Sequence, residues 1–162
     1  MFVGREKELK TLENLYNSDD FQFIVLYGKR RIGKTTLIKQ FLLDKDAIYF
    51  VGIESNEKQN LDNFSKCIFE YEKKNVPASY FSSYQDALDY VFCLSKEKRI
   101  ILVIDEYPYV ARVSKSLAST LQFLIDKYKD NSKLMLILCG SSMSYMEDEV
   151  LAYKSPLYGR RT

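Results

Sequence analysis

The sequence predicts an α/β fold in which a parallel sheet is covered by helices on both faces. Three observations predict it. Four short apolar runs read as strands. The segments between them carry apolar residues at helical spacing. The residues able to do chemistry cluster at the carboxyl ends of those runs, where open α/β sheets place their active sites.

The first strand is "FQFIVLY" (Phe21–Tyr27), and the helix after Gly33 carries Leu37, Ile38, Phe41 and Leu42 on one face. "AIYFV" (Ala47–Val51) is the second strand. A long crossover follows, with Leu61, Phe64, Ile68 and Tyr71 in register until Pro77 ends it. A further helix has Tyr84, Ala87, Leu88, Val91 and Phe92 in register, with Ser82 or Ser83 as its N-cap. "RIILVIDE" (Arg99–Glu106) is the most apolar stretch and ends in two acids. Leu117, Leu121, Leu124, Ile125 and Tyr128 stripe the next helix. "LMLILCGSS" (Leu134–Ser142) is a fourth strand that runs into a polar turn.

Composition narrows the chemistry. The 162 residues suit a single domain, 1–162, with 46% hydrophobic and 28% charged residues. Histidine is absent, which removes Ser-His and Cys-His catalytic pairs and the usual zinc ligand sets. A net charge of +2 is a poor electrostatic footprint for nucleic acid. No apolar run reaches the roughly 18–20 residues of a membrane span, and "MFVGREKEL" lacks a signal-peptide core. Cys67, Cys93 and Cys139 are odd in number and far apart, which fits a reducing compartment. Each lies in an apolar context and is expected to be buried and inert. A cytoplasmic location is expected.

Gly28-Lys29-Arg30-Arg31-Ile32-Gly33-Lys34-Thr35 matches the phosphate-loop pattern G-x-x-x-x-G-K-[ST]. Gly28 lets the chain leave the strand in a tight turn, and Gly33 lets the backbone approach a phosphate closely. The N–H groups of the loop, from Gly28 through Lys29, Arg30, Arg31 and Ile32 to Gly33, face the anion. Those of the first helical turn, Lys34 to Thr36, do the same, aided by the helix dipole. Lys34 is expected to reach the β- and γ-phosphates and the Thr35 hydroxyl to bind Mg²⁺. The side chains of Lys29, Arg30 and Arg31 either add positive charge there or are solvated loop residues.

Asp105 and Glu106 close the third strand. An Asp there can hold Mg²⁺ through its water shell, and Glu106 can polarise a water for attack on the γ-phosphate. The residues after Asp105 are Glu106, Tyr107 and Pro108, not the x-x-Gly of a GTPase, and "DNSKL" does not match a guanine-reading Asn-Lys-x-Asp. ATP hydrolysis is therefore preferred over GTP hydrolysis or phosphoryl transfer.

With these motifs in place the chain resembles the prokaryotic P-loop ATPases of the archaeal-type ATPase family, a branch of the signal-transduction ATPases related to AAA+ proteins. The stretches that match in order are "FVGREKEL" (Phe2–Leu9), "YGKRRIGKTTLI", "YFVG" (Tyr49–Gly52), "NLDNF" (Asn60–Phe64), "VIDEYPYV" (Val103–Val110), "LILCGSSMSYM" (Leu136–Met146) and "SPLYGRR" (Ser155–Arg161). The resemblance implies that Val3, Gly4 and Arg5 lie against the adenine; the residues alone also allow a solvated helix start. It implies that Ser141 is a polar sensor of the γ-phosphate or the attacking water, where a turn or N-cap serine is the plain alternative. It implies that Arg160 stabilises transition-state charge, in cis or from a neighbouring protomer, although an arginine near a chain end is commonly just solvated.

The resemblance also implies a sheet order of 5-1-4-3-2. Such proteins continue past "YGRR" into a last strand and a lid or winged-helix region, so a truncated protein or an N-terminal domain is expected. The first strand would then be an edge, open to self-association. The function implied is an Mg-ATP-dependent ATPase module whose nucleotide state switches further domains. The alternatives are a nucleotide-binding domain without turnover and part of a DNA-linked motor or loader.

Overall fold

In the computed structural model, residues 6–28, 33–73, 80–152 and 155–161 are described. The expected end of the long crossover at Pro77 lies outside them. The chain folds in the order α1 (Glu6–Tyr16), β1 (Gln22–Tyr27), α2 (Lys34–Leu42), β2 (Ala47–Val51), α3 (Glu57–Tyr71), α4 (Tyr84–Leu94), β3 (Ile101–Asp105), α5 (Tyr107–Val113), α6 (Leu117–Tyr128) and β4 (Met135–Gly140). A short α7 (Met143–Tyr145) then runs into a π-helical turn at Met146–Leu151.

All four strands are parallel and lie in the order β1-β4-β3-β2. Among the described residues this reproduces the 1-4-3-2 part of the order that the family resemblance implies. Alternate residues on each strand face opposite layers. Ile24, Ile101, Val103, Met135, Ile137 and Cys139 pack with Leu12 of α1 and Leu37, Ile38 and Phe41 of α2. Phe23, Ile48, Phe50, Leu102, Ile104, Leu136 and Leu138 pack on the other side with α3, α4, α5 and α6. Burial on both faces explains why β3 and β4 contain no exposed residue.

Local signals fix the element ends. Asn56 caps α3 by accepting from Gln59 N at 2.8 Å, and Ser83, rather than Ser82, caps α4 by accepting from Asp86 N at 3.1 Å. Helix α5, which contains Pro108, is not foreseen in the sequence. Pro108 lies in the helix's first turn, where its missing N–H has no intrahelical partner to lose. At the amino ends of the strands, Arg99 donates to Tyr16 O (3.1 Å) and Lys133 O (2.6 Å), tying α1 to the start of β4.

The expectation that all three cysteines are buried holds only for Cys139. Cys67 is half-buried and Cys93 is exposed. The apolar face of α4 is Ala87, Leu88, Val91 and Phe92, and at ~100° per residue Cys93 is turned off that face. Its sulfur lies 3.3 Å from the Tyr128 hydroxyl.

Candidate functional site

The order of the sheet assembles the site. Placing β4 between β1 and β3 sets Ser141 between the phosphate loop, which follows β1, and the acidic pair that ends β3. A cleft of about 570 Å³ opens there. Gly33, Lys34, Thr35 and Thr36 line one side, Asp105, Glu106 and Ser141 the floor, and Tyr49 and Val51 of β2 the far side. Residues more than a hundred positions apart in sequence share one cavity.

Gly33 has φ 88°, a left-handed conformation that favours glycine, and it turns the chain directly into α2. Leu37 N bonds to Gly33 O at 2.9 Å, so the first helical turn is closed. Its earlier N–H groups have no intrahelical acceptor, as at any helix start. The Thr35 and Thr36 residues are exposed to the cleft. Lys34 Nζ donates to Gly28 O at 2.9 Å, which folds the lysine back over the loop. Lys29, Arg30, Arg31 and Ile32 of the loop, and Val3, Gly4 and Arg5 of the expected adenine contact, lie outside the described residues.

Asp105 is held at both oxygens. Oδ1 accepts from Glu106 N at 2.8 Å, and Oδ2 accepts from the Tyr49 hydroxyl at 2.5 Å. Burial, and then the Asp105 bond, push the Tyr49 phenol well above its usual range, so it stays a donor. The neighbouring Cys139 thiol is likewise pushed up, chiefly by burial, and is not a nucleophile here.

Glu106 takes φ 52° and ψ 43°. A left-handed conformation at a non-glycine residue costs roughly 1–3 kcal/mol and persists only where the surroundings impose it. Gly52 is one such surrounding. Its N–H donates to Asp105 O at 2.8 Å, extending the ladder of β2 and β3. A Cβ at Gly52 would lie 2.8 Å from Glu106 O and 2.5 Å from Val110 Cγ2. Asn60, fully buried, holds the loop after Gly52 by accepting from Ile53 N (3.0 Å) and donating to Ile53 O (3.1 Å).

Ser141 Oγ donates to Glu106 Oε1 at 3.2 Å. The two residues also line a second cavity of about 240 Å³ with Pro108, Tyr109, Arg112 and Ser142. The pair thus forms a wall between two spaces.

Arg160 is placed elsewhere. Its guanidinium makes a two-pronged pair with Asp126 of α6 at 2.9 and 2.8 Å, and also donates to Pro156 O and Tyr158 O. It does not line the cleft. The structure therefore brings together Lys34, Thr35, Thr36, Asp105, Glu106 and Ser141, and leaves Arg160 apart.

Tyr49, Gly52 and Asn60 are the site residues that sequence reasoning missed. They sit in the quoted "YFVG" and "NLDNF", but those stretches carried no role. The available signal was a hydroxyl-bearing aromatic and a glycine at the carboxyl end of a strand.

Residues 2–162 match the family model for an ATPase domain found predominantly in Archaea. An uncharacterized protein of Methanocaldococcus jannaschii is 37% identical over 165 residues, which is all of this chain and 34% of that protein. An uncharacterized ATP-binding protein of the same organism is 53% identical over 45 residues, or 28% of this chain and 76% of that one. Among solved structures, a Walker-type ATPase of Pyrococcus abyssi superposes with TM-score 0.69 at 22% identity, covering 96% of this chain and 50% of that one. A Cdc6p of Pyrobaculum aerophilum superposes with TM-score 0.64 at 17% identity, covering 91% and 41%. At those identities the structures speak to the fold, which they share. The chain spans about a third of the length of the relative it matches from end to end. With a strand-loop-helix phosphate loop, an acidic pair two strands across the sheet and a family model matched over nearly its whole length, the chain belongs to the family of ATPase domains found predominantly in Archaea.

Proposed function

We propose that this chain binds ATP together with Mg²⁺ and hydrolyses it, and that its nucleotide state switches further domains of a longer protein. The observation that carries the reading is the convergence of Lys34 and Thr35 with Asp105, Glu106 and Ser141 in one cleft. The ATP-binding relative supports the choice of nucleotide.

In this reading Lys34 leaves Gly28 O for the β- and γ-phosphates, and the amide groups at the start of α2 take the remaining phosphate charge. The donors available for a cation fit Mg²⁺. The Thr35 hydroxyl and the Asp105 carboxylate are hard oxygen ligands lining the same cleft, and Mg²⁺ is commonly held by one or two carboxylates plus substrate phosphates. Bound there, the cation would offset charge on the phosphate oxygens. Glu106 orients the attacking water and accepts its proton. Ser141 steadies the Glu106 carboxylate and is within reach of the same water or the γ-phosphate.

Calorimetry with ATP, ADP and GTP, with and without Mg²⁺, tests the reading. Lys34→Ala is expected to weaken ATP binding at least ~30-fold, the lower bound for removing one partner of a desolvated charge pair. Equal binding by parent and variant would overturn it.

A second reading, binding without turnover, is favoured by the placement of Arg160. Held on Asp126 and outside the cleft, it would have to leave that pair, or act on a neighbouring copy, to stabilise transition-state charge. Phosphate release at micromolar protein separates the two readings.

A further inference from the structure

We propose that Tyr49 is a positioning residue for the cation, fixing the rotation of the Asp105 carboxylate so that its remaining lone pairs face the metal and its waters. The proposal rests on the reading of Asp105 as the metal-holding carboxylate.

The argument begins with the register. Tyr49 pairs with Val103, and Asp105 lies two residues further along β3 on the same face. Asp105 is therefore a diagonal neighbour of Tyr49 across the two strands, not its direct partner. A phenol spans that gap, whereas Ser, Thr or Asn at this position would fall short. The hydroxyl reaches Asp105 Oδ2 at 2.5 Å. Tyr49 itself is held in place. Its ring packs partly buried in the α1–α2 layer, and its carbonyl accepts from Cys67 Sγ at 3.4 Å.

An aspartate's terminal torsion is broad and roughly two-fold, so a carboxylate with one anchor rotates readily. Asp105 has two. The bond from Glu106 N to Oδ1 is local, formed within the same turn of chain. The bond from Tyr49 comes from a different strand and defines the plane. A carboxylate offers about four lone-pair sites, so two bonds leave two for the cation's shell. Such outer partners of a ligand typically change metal affinity 10–100-fold when removed.

The test reads the cation rather than turnover. ATP affinity is measured by calorimetry in EDTA and across a Mg²⁺ titration, for the parent, Tyr49→Phe and Asp105→Asn. Tyr49→Phe keeps the ring and loses only the hydroxyl. It is expected to raise the half-saturating Mg²⁺ concentration about 10-fold or more, while ATP affinity in EDTA stays within about twofold. A purely structural role for Tyr49 would lower the melting temperature without moving that midpoint. An unchanged Mg²⁺ midpoint in Tyr49→Phe, with Asp105→Asn shifting it, overturns this proposal alone. An unchanged midpoint in Asp105→Asn overturns the assignment of Asp105, and the proposal for Tyr49 falls with it.

Discussion

The Ser141 hydroxyl donates to Glu106 Oε1 across 3.2 Å, joining the carboxyl ends of two adjacent strands, β4 and β3. The bond gives Glu106 a fixed carboxylate direction on a backbone that is itself held in a left-handed conformation. In the proposed mechanism Glu106 is the general base, which must be aimed before it is useful, and this bond from Ser141 would supply the aim.

Glu106→Gln is therefore expected to keep ATP binding and lose turnover by ~10²–10⁴, the usual contribution of a general base. Ser141→Ala leaves binding unchanged and lowers turnover by a smaller factor, about tenfold for the loss of one hydrogen bond. Phosphate release and calorimetry on the same samples check both. Full turnover in Glu106→Gln would remove Glu106 from the role of base.

Gly52→Ala is expected to destabilise the fold by about 1–3 kcal/mol, the usual cost of overpacking. The added Cβ would meet Val110 Cγ2 at 2.5 Å and Glu106 O at 2.8 Å. Adding Val110→Ala removes the first clash and leaves the second, so the double variant recovers part of the loss once the cavity cost of Val110→Ala alone is subtracted. Urea unfolding of the four proteins measures the coupling.

The cysteines are expected to differ in reactivity. Cys93 is exposed and is expected to react with iodoacetamide in the native protein. Burial pushes the Cys67 thiol up to about 11 and also pushes the Cys139 thiol well above the usual thiol range, so neither is appreciably thiolate at neutral pH. Mass spectrometry should find one fast adduct in the native protein and three after denaturation.

The outer edge of β1 is expected to mediate self-association. Among the described residues β1 pairs with β4 alone, and a groove of about 370 Å³ runs beside it, lined by Phe23, Val25, Leu157 and Tyr158 among others. Unpaired strand edges recruit other strands. Light scattering should show average mass rising with concentration, and a constant monomer mass into the millimolar range would refute it.

The sequence determined the local part of this protein. Each apolar run became a strand within a residue or two of its expected bounds, because burial on both faces of a parallel sheet demands continuous apolar residues. The phosphate loop and the acidic pair were legible because each is a local pattern: the glycines serve a turn, and the acids end a strand. The nearness of Ser141 to Glu106 followed from strand order, which the family resemblance supplied and periodicity did not.

Tertiary structure decided the rest. The contact of Tyr49 with Asp105 depends on β2 and β3 being neighbours in one particular register, and a shift of one residue would turn Tyr49 to the opposite face. The need for glycine at position 52 comes from Glu106 O and Val110, both more than fifty residues away. Arg160 is engaged by Asp126 because α6 happens to run beside the chain's last turn. A sequence specifies which residues seek burial and which can turn. Which side chains then meet is settled when the layers close, since contacts across a sheet depend on the relative placement of elements that share no local code.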